Sequence, residues 1–331
     1  MNSARLHSLF FLQILPVLIA LLPLLAAAQA PGNYPSRPVT IVLNSASGTA
    51  GDTTARLMQG RLTERLKQPV LVENRVGASG IIGADYVAKA ASDGHTLLLM
   101  SNTSSILSAA RTDLPFDLLN DFAHIAKLID VPLALGIPIT VKANSLQELL
   151  AQIKANPGKY TFASPGTTGP QHLIGELMKQ SLGLDMVHVP HKDHALAVQN
   201  LVGGHVDLMV TSVSSLLPLA NAGKLKLLGI TGAKRSALAP NLPTFKELGY
   251  GFLVDMAGWY VLSAPAKTPG PIVARLNREF REVIATREIV EALARNGLDS
   301  DAGTPEQAVA FLKGDIERWS RVIKQGNIRT N

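Results

Sequence analysis

Val39-Thr40-Ile41-Val42-Leu43-Asn44-Ser45-Ala46-Ser47-Gly48-Thr49-Ala50-Gly51-Asp52 changes character twice. Val39–Leu43 is a run of β-branched and aliphatic side chains, the composition of a buried strand. Residues 44–51 are polar and Gly-containing, which reads as a turn. From Asp52 onward Ala55, Met58, Leu62 and Leu66 recur at helical spacing, so 52–67 reads as a helix with one apolar face. The same order returns further on. The strand Tyr160-Thr161-Phe162-Ala163 leads through Ser164-Pro165-Gly166-Thr167-Thr168-Gly169-Pro170 into a helix over 171–182.

This echo carries chemistry. A helix N-terminus presents unpaired N–H groups and about half a positive charge, so it attracts anions. Ligands of open α/β sheets bind beyond the carboxyl ends of the strands. Two such ends facing each other across a cleft would clamp a carboxylate. Gly48 and Gly51 let backbone approach a ligand, while Ser45, Ser47 and Thr49 add hydroxyls. Gly166 with Thr167 and Thr168 does the same on the second loop. The candidate contacts are therefore Ser45, Ser47, Gly48, Thr49 and Ala50 on the first loop, and Ser164, Gly166, Thr167, Thr168 and Gly169 on the second. Asn102, in the polar loop 101–105, and His191 and Thr211, near later strand ends, complete the set. Polar turns before helices also serve simply as caps, and Asp52 is read that way, because an acid there would repel an anion.

Outward from these loops the chain alternates strands and helices, which predicts α/β lobes with mainly parallel sheets. Strands are expected at 70–74, 96–100, 133–137, 186–189 and 206–210, and helices at 146–155 and near 195–202. Gly77-Ala78-Ser79-Gly80 opens a further helix carrying Val87 and Ala88. A change of lobe is expected near Asp130-Val131-Pro132, and 226–231 reads as the strand returning to the first lobe. The end is helical over 272–285, 288–296 and 305–324. The expected division is 34–131 plus 229–331 for lobe 1 and 132–228 for lobe 2.

The N-terminus sets the compartment. Arg5 and His7 precede an apolar run over 9–25 broken only by Gln13, Pro16 and Pro23, and Ala26-Ala27-Ala28-Gln29-Ala30 follows. This is the order of a secretory signal peptide, expected to span 1–28 and to be cleaved, and the run is short for a membrane anchor. Cleavage after Ala30 would place Pro31 after the scissile bond, so Ala28 is the better site. The expected location is the periplasm. The sequence has no Cys, which excludes a lipid-anchored receptor, disulfides, thiolate metal sites and a Cys nucleophile. About 300 residues then remain, a length that suggests two lobes with large cores. Removing Arg5 from the 31 Lys and Arg leaves a net charge of about +5 against 25 Asp and Glu. Aromatic residues are 5% of the chain and no basic stripe stands out, so nucleic acid is not an expected partner. A mildly positive body suits an anionic ligand.

An ordered series of short blocks runs along nearly the whole mature chain. Tyr34-Pro35-Ser36-Arg37-Pro38-Val39 is followed by Asp52-Thr53-Thr54-Ala55-Arg56, then by Val72-Glu73-Asn74-Arg75 with Gly77-Ala78-Ser79-Gly80. Ala88-Lys89-Ala90 with Asp93-Gly94-His95-Thr96-Leu97, Ala163-Ser164-Pro165-Gly166, His172-Leu173, Val189-Pro190 and Lys192 come next. Gly203-Gly204 with Val206-Asp207, Pro243-Thr244, Glu247-Leu248-Gly249, Trp259, and Ala264-Pro265 with Thr268-Pro269 close the series. In this the chain resembles the Bug-type extracytoplasmic solute receptors of tripartite tricarboxylate transport systems. The resemblance implies a type II periplasmic-binding-protein fold: two α/β lobes joined by two crossovers with a ligand cleft between. It implies a small organic carboxylate held largely by backbone N–H groups, no cofactor, and the integral-membrane permease of such a transporter as partner. The receptor itself is expected to be a monomer. The departures fall on the ligand side. The family's first loop is rich in Pro and Gly with a Phe, where this chain has Asn44, Ser45, Ala46, Ser47, Thr49 and Ala50. The family's Tyr and Gly around Lys192 are His191 and Asp193 here, and a frequent Asp at the later strand end is Thr211.

His188, His191 and His194 lie close together beside Asp193. They form neither a helical i, i+4 pair nor a known metal clip, and Pro190 intervenes, so no metal site is expected. His191 is expected to border the cleft, the other two to pack or face solvent, and His172 to brace the second loop. Two rival functions remain open. One is a secreted serine hydrolase with Ser164 as nucleophile and His172 as base. It lacks a Gly-x-Ser-x-Gly elbow, a Ser-x-x-Lys and a His-Glu-x-x-His. The other is a receptor reporting to a membrane signalling protein, which sequence alone does not separate from transport.

Overall fold

The computed structural model describes residues 34–328 apart from Thr168; the leader expected at 1–28 and the candidate contact Thr168 lie outside the described residues. In chain order the first part comprises β1 (Val39–Leu43), α1 (Ala50–Leu66), β2 (Val70–Asn74), α2 (Ile81–Ala88), β3 (Thr96–Ser101), α3 (Thr103–Ala110) and β4 (Phe122–Val131). The middle comprises β5 (Leu133–Pro138), α4 (Leu146–Ala155), β6 (Tyr160–Pro165), α5 (Pro170–Leu182), β7 (Met186–His191), α6 (His194–Val202), β8 (Leu208–Ser212), α7 (Val213–Asn221) and β9 (Leu225–Ile230). The last part comprises β10 (Gly258–Pro265), α8 (Gly270–Ile284), α9 (Arg287–Arg295), β11 (Asp299–Ser300) and α10 (Pro305–Gln325).

These strands form two sheets, ordered β11-β4-β10-β3-β1-β2 and β7-β6-β8-β5-β9. Leu97 to Met100 of β3 are all buried, so this strand is covered on both faces, as a central strand of an α/β sheet must be. The sheets are mixed rather than mainly parallel. β10 runs antiparallel to β3 and β4, and β5 runs antiparallel to β8 and β9. A second correction concerns β9. It pairs with β5, Leu135 opposite Gly229, so it closes the second sheet instead of returning to the first. The apolar strand β5 needs a partner on its outer side, and β9 supplies it. The return falls after Ile230.

Two crossovers join the sheets: Pro132 between β4 and β5, and residues 231–257 between β9 and β10. They run side by side. The Thr231 N–H donates to the Leu133 carbonyl at 2.8 Å, and the Leu133 N–H donates back to Thr231 Oγ1 at 2.9 Å. A third element touches both sheets' helices. α10 packs on α3, while its later residues Trp319 and Val322 share a core with Leu173 and Met178 of α5. Gln180 Nε2 donates to the Val322 carbonyl at 3.0 Å.

One buried group sets a pH limit on this fold. His124 of β4 faces Ser263 Oγ through Nδ1 at 2.8 Å and the Leu118 carbonyl through Nε2 at 3.0 Å. The carbonyl only accepts, so Nε2 carries the proton and Nδ1 accepts from the serine. Burial pushes the pKa of this imidazole down to about 4 from 6.5. Between those values the unfolded chain takes up a proton that the folded chain refuses. Stability is therefore full above 6.5 and is lost as pH falls toward 4, by up to about 3 kcal/mol from this residue. Urea unfolding at neutral pH and near pH 4 should show that His124→Gln flattens the decline. A decline of unchanged steepness would mean that other groups cause it.

Candidate functional site

The N-terminal ends of four helices meet in the space between the sheets. Thr49, Asn102 and Ser212, the N-cap residues of α1, α3 and α7, line a cavity of about 710 Å³. Gly169, the N-cap of α5, lines an adjoining cavity of about 360 Å³, and Pro165 and Pro170 border both. None of these four residues closes its helix with a side-chain bond. By contrast Ser145, Asp193 and Thr304 cap α4, α6 and α10 in that way. First-turn N–H groups at the cleft thus have no side-chain acceptor, which is the arrangement that receives an anion.

The first loop is built around an acid turned away from the cavity. Asp52 Oδ2 accepts from the Gly48 N–H at 3.0 Å and from Ser47 Oγ at 3.3 Å, and its carboxylate pairs with Arg56. Its hydrogen bond with Arg56 is the main reason its pKa falls to about 2, against the opposing effect of burial. Ser47 is thereby committed to bracing the loop, and Ser45 Oγ sits 3.1 Å from Thr49 Oγ1. Gly48, Thr49 and Ala50 line the larger cavity with Thr53. Tyr260 of β10 forms part of the same wall, and α1 reaches it only because residue 51 is glycine: a Cβ there would lie 2.2 Å from the ring.

The second loop rests on stacked rings. His188 stacks on His172 at 3.8 Å and on Phe162 at 4.8 Å. Ser164 is fully buried; its hydroxyl donates to the Gly166 carbonyl at 2.6 Å and lies 2.7 Å from His188 Nε2. The hydroxyl proton is used on the carbonyl, so Nε2–H of His188 donates to Oγ. Burial, with His172 nearby, pushes the His188 pKa down to about 4 and keeps the ring neutral. The pair expected of a hydrolase, Ser164 with His172 as base, is not formed. The imidazole on Ser164 is His188, not His172, and the serine supports the loop from beneath. Gly166, with φ +85°, donates its N–H to the His191 carbonyl at 2.8 Å and lines the smaller cavity with Thr167 and Gly169.

The histidine expected at the cleft was His191; the structure places His194 there instead. His191 is buried beneath the loop and serves it through its carbonyl. His194, in the first turn of α6, lines the larger cavity, where burial lowers its pKa. Its Nε2 is 3.3 Å from Ser215 Oγ, which lies 2.6 Å from Ser212 Oγ. The three histidines thus turn toward different partners. The described residues contain no group of three or more His, Asp or Glu placed to share a metal ion.

Thr211 and Asn102 line the larger cavity, as do several residues not singled out from the sequence: Trp259 and Tyr260 of β10, Ser214 and Ser215 of α7, and Arg295 with Asn296 at the end of α9. Trp259 falls in one of the short blocks of the family resemblance, with no alternating pattern around it to mark a strand, and Arg295 carries no distinguishing signal within its helical segment. Across the smaller cavity Ala78 and Ser79 face the second loop. Both have positive φ, 46° and 54°, between glycines at 132° and 95°. Backbone held in that region gathers at ligand-handling loops. Among the described residues, neither cavity's lining includes a carboxylate.

Two mixed α/β sheets joined by two crossovers, with helix N-termini converging on the cleft between, define a periplasmic binding protein of type II. The family model described as tripartite tricarboxylate transporter family receptor, TctC, matches residues 54–328. The chain belongs to that family of Bug-type receptors. It is 34% identical to the protein BugT of Bordetella pertussis over 303 residues, covering 91% of this chain and 93% of BugT. The structure of the periplasmic binding protein BugD superposes with a TM-score of 0.70 at 30% identity, covering 89% of this chain and 99% of BugD. MatC of Rhodopseudomonas palustris, with malate bound, gives 0.68 at 31% identity over 88% of this chain and all of MatC, 100%.

Proposed function

We infer that this receptor captures a small organic carboxylate in the cleft and delivers it to the membrane permease of a tripartite tricarboxylate transporter, without chemical turnover. The observation that carries this reading is the cleft's charge: four helix N-termini, with Arg295 on the larger cavity and Arg111 on the smaller, in linings whose described residues include no acid. Gly48, Thr49, Ala50, Asn102 and Thr211, with Gly166, Thr167 and Gly169, are the contacts we assign to the ligand. Malate in MatC, a carboxylate in a family relative, supports the ligand class. The leader and the periplasmic relatives support a periplasmic protein from which residues 1–28 have been removed. No described helix is long and apolar enough to cross a membrane. The working lobes are 34–131 with the segment after Ile230, and 132–230. They close on the ligand about the two crossovers stitched by Thr231 and Leu133.

Ligand binding to the folded state alone raises the unfolding midpoint. A thermal-shift panel of organic acids, sugars and amines tests the ligand class. Carboxylates should raise the midpoint and the other two classes should leave it unmoved. A shift confined to sugars or amines would remove the anion reading.

A further inference from the structure

Arg295 is the last residue of α9 and is exposed, with its side chain lining the larger cavity. Among the described residues of that lining it is the one Lys or Arg. Its position is set by a close approach two residues later. Gly297 has φ +72°, and a Cβ there would lie 3.0 Å from Ser214 Cβ and 3.6 Å from the Ser214 backbone nitrogen. Glycine, with its positive φ and no Cβ to crowd Ser214, lets the chain after α9, from the first sheet's side, seat closely against α7, from the second. This contact brings Arg295 to the part of the cleft where Ser212, Ser214, Ser215 and His194 also line the wall.

These groups make a second polar subsite with a chemistry different from the loops. The loops offer glycine backbone and helix N–H groups. This wall offers a guanidinium, three hydroxyls and an imidazole. Ser212 and Ser215 are already hydrogen-bonded to each other, and Ser215 to His194, so the hydroxyls are oriented before a ligand arrives. A planar guanidinium beside them matches an anionic oxygen pair, which it holds by two parallel N–H···O bonds. The same lining includes Trp259, Tyr260, Val131, Leu133 and Leu298, aromatic and aliphatic groups that suit a hydrocarbon spacer.

We propose that Arg295 is a specificity-determining residue that reads a second anionic group of the ligand, separate from the carboxylate held by the loops. The proposal rests on the receptor reading above and adds that the preferred ligand is a dianion whose far acid lies on Arg295. A plainer role exists: a cation in the last turn of α9 offsets the helix dipole. That role needs only charge at residue 295 and is indifferent to what lies in the cleft.

Calorimetry of the full mature chain with succinate, glutarate, adipate and pimelate, each against its mono-amide, separates the two. The best-bound diacid should exceed its mono-amide by about 10- to 100-fold in the wild type, the range of a charge-assisted pair. Arg295→Gln should abolish that preference by bringing the diacid down toward its mono-amide, with a much smaller loss for the mono-amide, because the loops are intact. Arg295→Lys, which keeps the charge but not the fork, should retain only part of it. If Arg295→Gln keeps the wild-type ratio, or weakens diacid and mono-amide by the same factor, the assignment is wrong. If carboxylates bind the wild type but diacid and mono-amide bind equally, the Arg295 subsite fails and the receptor reading stands. If no carboxylate binds, both fall.

Discussion

Gly166→Val should weaken carboxylate binding by about 100-fold or more while leaving the protein folded. Gly166 holds φ +85°, a region that β-branched residues almost never adopt. A Cβ there would meet no protein atom within 4 Å, so it adds no clash with the fold at a residue that lines the smaller cavity. Two effects combine: strain in a loop whose N–H must reach the His191 carbonyl, and branched bulk where a ligand approaches backbone. Gly166→Ala carries most of the strain and little of the bulk, and should cost about 10-fold or less. Calorimetry with circular dichroism as the folding control reads both. A folded Gly166→Val protein with wild-type affinity would take the second loop out of the site.

The largest effect on stability is expected at Asp315. This carboxylate of α10 is 1% exposed. It accepts from Trp259 Nε1 at 3.1 Å, from Trp319 Nε1 at 3.2 Å and from Ser105 Oγ, and it pairs with Arg318 at 2.9 Å. Burial pushes its pKa up against the pull of Ser105, Arg318 and the indoles. Asp315→Ala would leave two indole N–H groups and a hydroxyl buried without this acceptor and would remove a partner of Arg318. The cost should be about 3–5 kcal/mol, read as a lower urea midpoint at unchanged slope. Asp315→Asn keeps an acceptor for the indoles and should lose less. Because Trp259 lines the cavity, the alanine variant should also bind ligand more weakly. A loss below about 1 kcal/mol would mean the cluster is not the structural knot described.

The two loops with their flanking strands and helices were legible because local sequence decides them. β1 and β6 are short strand-like runs, and α1 places Ala55, Met58, Leu62 and Leu66 at helical spacing; each loop between strand and helix is marked by glycine. What stayed hidden depends on distant partners. Thr103–Ala110 reads as polar because of Ser104, Ser105 and Ser108. It forms a helix packed on α10, with Ile106 buried and Ser105 bonded to Asp315, more than two hundred residues away in sequence. Val213–Asn221 contains Pro218 in its interior, an ordinary breaker. β10 is bracketed by Gly258 and Pro265, and no periodicity announces that it inserts antiparallel between β3 and β4. The site divides along the same line. Of the residues that line the cavities, Gly48, Thr49 and Gly166 were singled out by loop chemistry. Tyr260 and Arg295 reach the cleft only through the second crossover and could not be placed without it. His191 and His194 exchanged roles because Pro190 and His191 extend β7, which carries His191 under the loop and leaves His194 to open α6 at the cavity.

The central claim, that the cleft holds an anion by neutral donors and guanidinium groups in a lining without acids, is tested most directly by calorimetry of the mature protein. A tightly bound acid should be compared with the analogue in which every carboxylate is an amide of the same shape. The account predicts that the acid binds at least about 100-fold more tightly, because the amide presents N–H groups to N–H groups at the helix ends. Equal affinity for acid and amide would contradict it.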